Sequence, residues 1–117
     1  MLRKPILGII GVSDGDPEVH ETLKDVVQAQ VDVIVAALQR DGRVDVVLAD
    51  CLVDSVEKAK TQAELLKSRG VDGTLISHGV FAYPNFSAVI AKNGKGPFML
   101  CANLFPDWPG MVSMLSL

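Results

Sequence analysis

Four apolar stretches lie along the chain, separated by segments whose apolar residues have helical spacing. The first stretch, residues 5–12, is continuous, which is typical of a strand covered on both faces. Shorter apolar stretches predict three further strands, at residues 44–49, 73–77 and 97–101. We therefore expect four buried strands.

The segments between the strands have the periodicity and the end signals of helices. Asp16 is the predicted N-cap of the first helix, with Pro17 at its first position. Asp54 is the predicted cap of a second helix, and Asn85 that of a short third helix. Glycine, which favours helix ends, follows these helices at positions 42, 70 and 94. A further helix is predicted over residues 109–117.

Strands that alternate with helices indicate right-handed crossovers and a parallel sheet with helices on both faces. We predict a three-layer α/β sandwich with an open parallel sheet of about four strands, Rossmann- or flavodoxin-like. The 117 residues fit a single domain. Such folds usually continue to a fifth strand, and the apolar residues 111–117 carry no end signal. We therefore expect the N-terminal part of a longer protein, truncated after the fourth strand and the start of the next helix.

Composition excludes several classes of partner. The formal net charge is −3, and no block of Lys or Arg is present, which argues against nucleic-acid binding. No apolar stretch approaches the roughly 20 residues of a membrane span. Cys51 and Cys101 are far apart in the sequence and have no close cysteine neighbour, which is typical of a protein in the reducing cytoplasm.

Ligands of open parallel sheets bind beyond the carboxyl ends of the strands. The candidate binding residues at those predicted ends are polar or aromatic: Ser13, Asp14, Asp50, His78, Phe81, Tyr83, Asn103 and Trp108. A phosphate or dinucleotide site would require positive charge and a glycine fingerprint, and Gly8, Gly11 and Gly15 do not have that spacing. The set therefore favours an uncharged, hydroxyl-rich ligand such as a sugar.

Several of these polar residues also have a purely structural interpretation. Asp50 directly follows a buried strand and would need a partner there. His78 is either a base or ligand-binding group, or a hydrogen-bonded structural histidine. Asp16 and Asp54 are interpreted as helix caps, and His20 as a surface residue of the first helix. No His, Cys or carboxylate cluster has the spacing of a metal site.

Particular segments of the chain resemble the L-fucose/L-arabinose isomerase family. The first segment of the family's sequences is similar to the stretch Gly8-Ile9-Ile10-Gly11-Val12-Ser13-Asp14-Gly15 and to the following Val19-His20-Glu21-Thr22-Leu23. Asp50-Cys51, the loop at residues 79–83 and the segment at 103–112 resemble later parts of the same domain. The resemblance covers essentially the whole chain.

The resemblance implies the N-terminal domain of a metal-dependent aldose–ketose isomerase. Members use a divalent metal, usually manganese, and the implied metal-binding and catalytic residues lie in a later part of the protein. This chain is therefore expected to hold no cofactor and no catalytic residue and to be inactive alone. It is expected to contribute contacts to a homo-oligomer and to help line the sugar pocket of a neighbouring subunit. By position, the lining residues would be Ser13, Asp14, Phe81, Tyr83, Asn103 and Trp108.

Two departures from the family pattern limit what the resemblance implies. The first turn, Arg-rich in typical fucose isomerases, is Asp14-Gly15-Asp16-Pro17-Glu18 here, and Phe81 replaces a tryptophan. The resemblance therefore does not name fucose as the substrate. The alternative function is a stand-alone sugar-binding, small-ligand-binding or oligomerisation module without catalysis.

Overall fold

Strands and helices alternate through the whole described structure. The computed structural model describes residues 4–13, 15–78 and 84–102, except the side chain of Pro84. The elements in chain order are β1 (Ile6–Val12), α1 (Pro17–Asp41), β2 (Asp45–Leu48), α2 (Val56–Ser68), β3 (Gly73–His78), α3 (Pro84–Asn93) and β4 (Phe98–Ala102). The helix predicted over residues 109–117 lies outside the described residues.

The described strands form one parallel sheet in the order β2-β1-β3-β4. β1 pairs with β2 from Ile6, opposite Asp45, and with β3 up to Val12, opposite His78. β4 pairs only with β3 among the described strands, so it forms one edge of the sheet. These pairings confirm the predicted α/β fold with an open parallel sheet.

Helices cover both faces of the sheet, because successive side chains of a strand point to opposite faces. α1 packs on one face, where the buried residues include Ile9, Val31 and Leu75. α2 and α3 pack on the other face, where the buried residues include Ile10, Val12, Leu66, Ile76 and Ile90. The result is the predicted three-layer arrangement. None of the helices in the described parts of the chain is long and apolar enough to cross a membrane.

Gly11 allows α1 and the loop after β2 to approach β1 closely. A Cβ atom on Gly11 would lie 2.7 Å from Leu52 Cδ2 and 2.8 Å from Val31 Cγ2, which is closer than carbon atoms pack. The loop residue Val53 also forms an isolated parallel bridge with Val12. The end of β1 is therefore enclosed by both neighbouring segments.

The helix starts confirm one predicted cap and correct two others. The Asp16 side chain accepts hydrogen bonds from the backbone N–H groups of Glu18 and Val19, so it caps α1 as predicted. α2 is capped by Ser55, whose hydroxyl accepts from the backbone N–H of Lys58, and not by Asp54. α3 begins at Pro84, so Asn85 lies inside the helix. Proline suits a first helical position because it lacks an N–H group.

Candidate functional site

The carboxyl ends of β1 and β3 mark the point where the strand order reverses. The chain passes from β1 through α1 to β2 on one side, and β3 lies on the other side of β1. In open α/β sheets, ligands bind in the crevice at such a point. Ser13 directly follows β1 and His78 ends β3, so two predicted binding residues lie here.

Ser13 and His78 nevertheless face opposite sides of the sheet. The Ser13 hydroxyl is hydrogen-bonded to Nδ1 of His20 on α1, with 2.8 Å between the atoms. Nε2 of His78 is hydrogen-bonded to the hydroxyl of Ser87 on α3, at 3.0 Å. The structure therefore does not bring these two side chains together in one pocket.

His78 is fully buried and hydrogen-bonded. Burial disfavours the charged imidazolium and lowers the pKa of His78 to about 4, so the ring is neutral at pH 7. Both properties agree with one of the two interpretations from the sequence, that of a hydrogen-bonded structural histidine. A role for His78 in binding stays a prediction.

Asp50 has the partner that the sequence analysis called for, but its side chain is mostly exposed. Its side chain is 61% exposed and lies 3.2 Å from Nη2 of Arg69 at the end of α2. Its backbone N–H donates to Oε1 of Gln62, and Arg69 also donates to the Leu48 carbonyl oxygen. Gln62 of α2 and Arg69, the C-cap of that helix, therefore hold this loop, while the Asp50 carboxylate remains largely open to solvent.

A connected set of polar side chains lies beside the end of β1, which we call the His20 network: Ser13, His20, Asp54 and Lys58. Nε2 of His20 lies 3.6 Å from Oδ2 of Asp54, and Oδ1 of Asp54 lies 2.8 Å from Nζ of Lys58. The hydrogen bond to Asp54 raises the pKa of Lys58. The network links β1, α1 and α2.

His20 is the residue of this site that the sequence analysis missed, because it was interpreted as a surface residue. Its side chain is only 18% exposed. The available signal was its position four residues after the N-cap Asp16. Helical side chains lean toward the N-terminus, so a residue there lies over the first turn, next to the end of β1.

The order Ser13, His20, Asp54 resembles the nucleophile, base and carboxylate of covalent hydrolases. Ser13 is completely buried, however, so its oxygen cannot reach a substrate in this conformation. The 3.6 Å separation between His20 and Asp54 is also longer than a hydrogen bond. The arrangement therefore does not support acyl transfer.

Two cavities border this part of the fold. The first, of about 50 Å³, lies between β1, α1 and the loop containing Asp50 and Cys51, and it is too small for a monosaccharide. The second is an open cleft of about 320 Å³ beside the first two turns of α1. Its lining among the described residues is Glu18, Val19, Thr22 and Leu23. Of these two cavities among the described residues, the cleft is the one with the size of a small-molecule site.

The remaining predicted binding residues lie outside the described residues, and they stay predictions: Asp14, Phe81, Tyr83, Asn103 and Trp108. Within the described ranges, no group of three or more His, Cys, Asp or Glu side chains is arranged to hold a metal ion. The residues described here therefore do not fit the manganese that the resemblance implies, and no chemical step is assigned to such an ion.

Comparison with known proteins identifies the family. A family model described as L-fucose isomerase, first N-terminal domain, matches residues 4–117. The chain belongs to this family. Searches of curated proteins and of solved structures gave no match. The match confirms the resemblance seen in the sequence. It indicates that the chain is an N-terminal domain of the sugar isomerase type.

The buried neutral state of His78 predicts a pH dependence of stability. In the unfolded chain a histidine has a pKa near 6.5, so below that pH the unfolded state binds a proton that the folded state binds only near pH 4. The contribution of neutral His78 to the free energy of unfolding is fully present above pH 6.5 and is lost as the pH falls toward 4. We expect a loss of about 3 kcal/mol between pH 7 and pH 4, at 1.36 kcal/mol per pKa unit.

Urea denaturation of the wild-type chain and of His78→Gln at several pH values measures this loss. Glutamine retains a hydrogen-bonding group for Ser87 but does not titrate, so the difference between the two curves isolates His78. Equal pH dependence in both proteins would contradict the assignment of a neutral, buried imidazole.

Proposed function

We propose that this chain is the first domain of an aldose–ketose isomerase and that the carboxyl edge of its sheet forms part of the sugar pocket. The observation that carries the proposal is the family match over residues 4–117. The free thiols of Cys51 and Cys101 are consistent with a cytoplasmic protein. The strand-order reversal at β1 and β3 supports the location of the pocket.

The charges at this edge suit a neutral ligand. The two nearby cations of α2 and its C-cap are both paired: Lys58 with Asp54, and Arg69 with Asp50. A phosphate would have to compete with these carboxylates for each cation. Sugar hydroxyl groups, in contrast, can donate to a carboxylate that is already paired, because each oxygen accepts more than one hydrogen bond.

The chemistry of isomerisation is proposed to lie elsewhere in the full protein. No candidate metal cluster exists among the described residues, and the one buried histidine there, His78, is held neutral by its surroundings. We propose that the metal, with manganese as the expected ion, and the acid–base groups come from a later domain. The first domain, formed by the chain described here, then supplies only part of the pocket wall.

A kinetic comparison of two aspartates tests the pocket proposal in the full protein. Asp14 directly follows Ser13 at the carboxyl edge, whereas Asp45 is an exposed residue at the amino end of β2. Asp14→Asn weakens a charged hydrogen bond to a sugar hydroxyl, so KM for the aldose should rise about tenfold. Asp45→Asn is the matched control and should leave KM unchanged. Equal KM values for both variants would refute the pocket proposal.

The isolated chain separates this function from a stand-alone binding module. Because the chain supplies only part of a pocket, we expect no isomerisation of any pentose or hexose with added Mn²⁺. Titration calorimetry with the same sugars should give no saturable heat. Saturable binding without turnover would support the stand-alone binding module instead, and turnover would place the catalytic groups in this chain.

We also propose that the chain contributes contacts to a homo-oligomer through β4, with a second copy as the partner. β4 contains no charged residue, and Met99 and Leu100 are 59% and 40% exposed. The opposite edge strand begins with Asp45 and has Arg43 and Arg69 nearby. Charge protects an edge from pairing, and β4 has no such protection.

Sedimentation equilibrium of the chain tests this contact. Met99→Lys places a charge on the proposed interface, so the dimer dissociation constant should rise at least tenfold. Val33→Lys places the same charge at a position on α1 that is 66% exposed, away from the strand edge, and should have no effect. A wild-type chain that stays monomeric at high concentration, or equal effects of both variants, would contradict the contact.

A further inference from the structure

The hydrogen bonds of the His20 network depend on where the imidazole protons lie. With a neutral ring, the proton favours Nε2, because that nitrogen faces the carboxylate of Asp54. Nδ1 then carries a lone pair and accepts a hydrogen bond from the Ser13 hydroxyl. In this state the Ser13 proton has an acceptor, and the Nε2 proton of His20 faces the Asp54 carboxylate at ion-pair distance.

Protonation of His20 reverses the bond to Ser13. Both ring nitrogens are donors in the imidazolium form, so Nδ1 donates to the Ser13 oxygen. The Ser13 proton must then turn away, and no second partner of this hydroxyl exists among the described residues. Ser13 is completely buried, so a proton without an acceptor is unfavourable there.

Charged groups on the adjoining elements affect whether the His20 ring is neutral or protonated. From the loop before α2, Asp54 faces the ring, and from α2, Lys58 shares that carboxylate. On α1 itself, Glu21 pairs with Lys24 at 2.8 Å, and Asp16 caps the helix. Asp54 is thus the one carboxylate within ion-pair distance of the His20 ring in the described part of the chain.

The network connects two loops that carry predicted sugar contacts. Besides its side-chain bond, Ser13 donates its backbone N–H to the Val53 carbonyl oxygen at 2.7 Å, and Val53 donates to that of Gly11. Asp14 follows Ser13 directly, and Asp50 lies in the same loop as Val53. Ser13 therefore links the His20 ring to both loops.

We propose that His20 is a positioning residue whose protonation state sets the direction of its hydrogen bond with Ser13, and that the neutral form holds both loops in the geometry that binds sugar. This inference rests on the proposed function for its consequence, but its physical basis can be tested without sugar.

The first test is NMR of the chain labelled with ¹⁵N at histidine and backbone positions. Its two histidines are easily distinguished, because His78 stays neutral down to about pH 4. We expect the Nε2–H tautomer for the neutral ring of His20. As the pH is lowered, protonation of His20 should shift the amide signals of Ser13 and Val53 with the same midpoint as the ring. An Nδ1–H tautomer, or amides that do not follow His20, would overturn the inference.

The second test measures KM of the full protein against pH for the wild type, His20→Asn and His20→Leu. The wild-type KM should rise about tenfold when His20 is protonated, because Ser13 then loses its acceptor. Asparagine offers Ser13 a carbonyl acceptor at every pH, so this part of the pH dependence should disappear while KM stays near the wild-type value measured with neutral His20. Leucine removes the acceptor, so KM should be raised throughout.

The two tests separate the inference from the proposed function. If the NMR result holds but the three proteins have the same KM profile, the network exists and its assignment to a sugar site is wrong. If the amides do not follow His20, the positioning role is wrong whatever the sugar kinetics show. A fall in KM with protonation of His20 would also contradict the inference.

Discussion

The central position of β1 constrains every other part of the described structure. This strand is paired on both edges, with β2 and β3, and covered on both faces, by α1 and by α2 with α3. Only apolar residues and glycine fit such surroundings, and β1 consists of these alone. Gly11 leaves room for Val31 of α1 and for Leu52 of the loop after β2. The carboxyl end of β1 is therefore the place where three segments meet.

Polar groups at this meeting point have to be paired, because buried polar groups without partners are unfavourable. The structure satisfies this requirement for one residue on each face, whereas the buried Ser77 hydroxyl of β3 has no hydrogen-bond partner among the described residues. Ser13 bonds to His20 beside α1, and His78 bonds to Ser87 of α3. The Asp50 side chain is largely exposed, and the cleft beside α1 opens to solvent. Asp50 and Asp54 each lie beside a cation, which is the basis for proposing a neutral ligand.

The fold could be predicted from the sequence because its signals are local. Continuous apolar stretches gave the strands, and Asp16 with Gly42 marked the first helix. The predicted cap of α2 was wrong because Asp54 and Ser55 are both good capping residues. The choice between them depends on His20 and Lys58, which contact Asp54 and lie outside the local capping signal. The exposure of Asp50 depends in the same way on Arg69, nineteen residues later. The strand order could not be predicted because it has no local signal.

We propose that residues at the carboxyl edge of this sheet contact the sugar of an isomerase. The sharpest test is a crystal structure of the full protein with a bound sugar alcohol. A sugar hydroxyl group is expected within hydrogen-bonding distance of a side chain from the turn after β1 or the loop after β2. A sugar bound in a complete pocket without contact from any residue of 4–117 would contradict it.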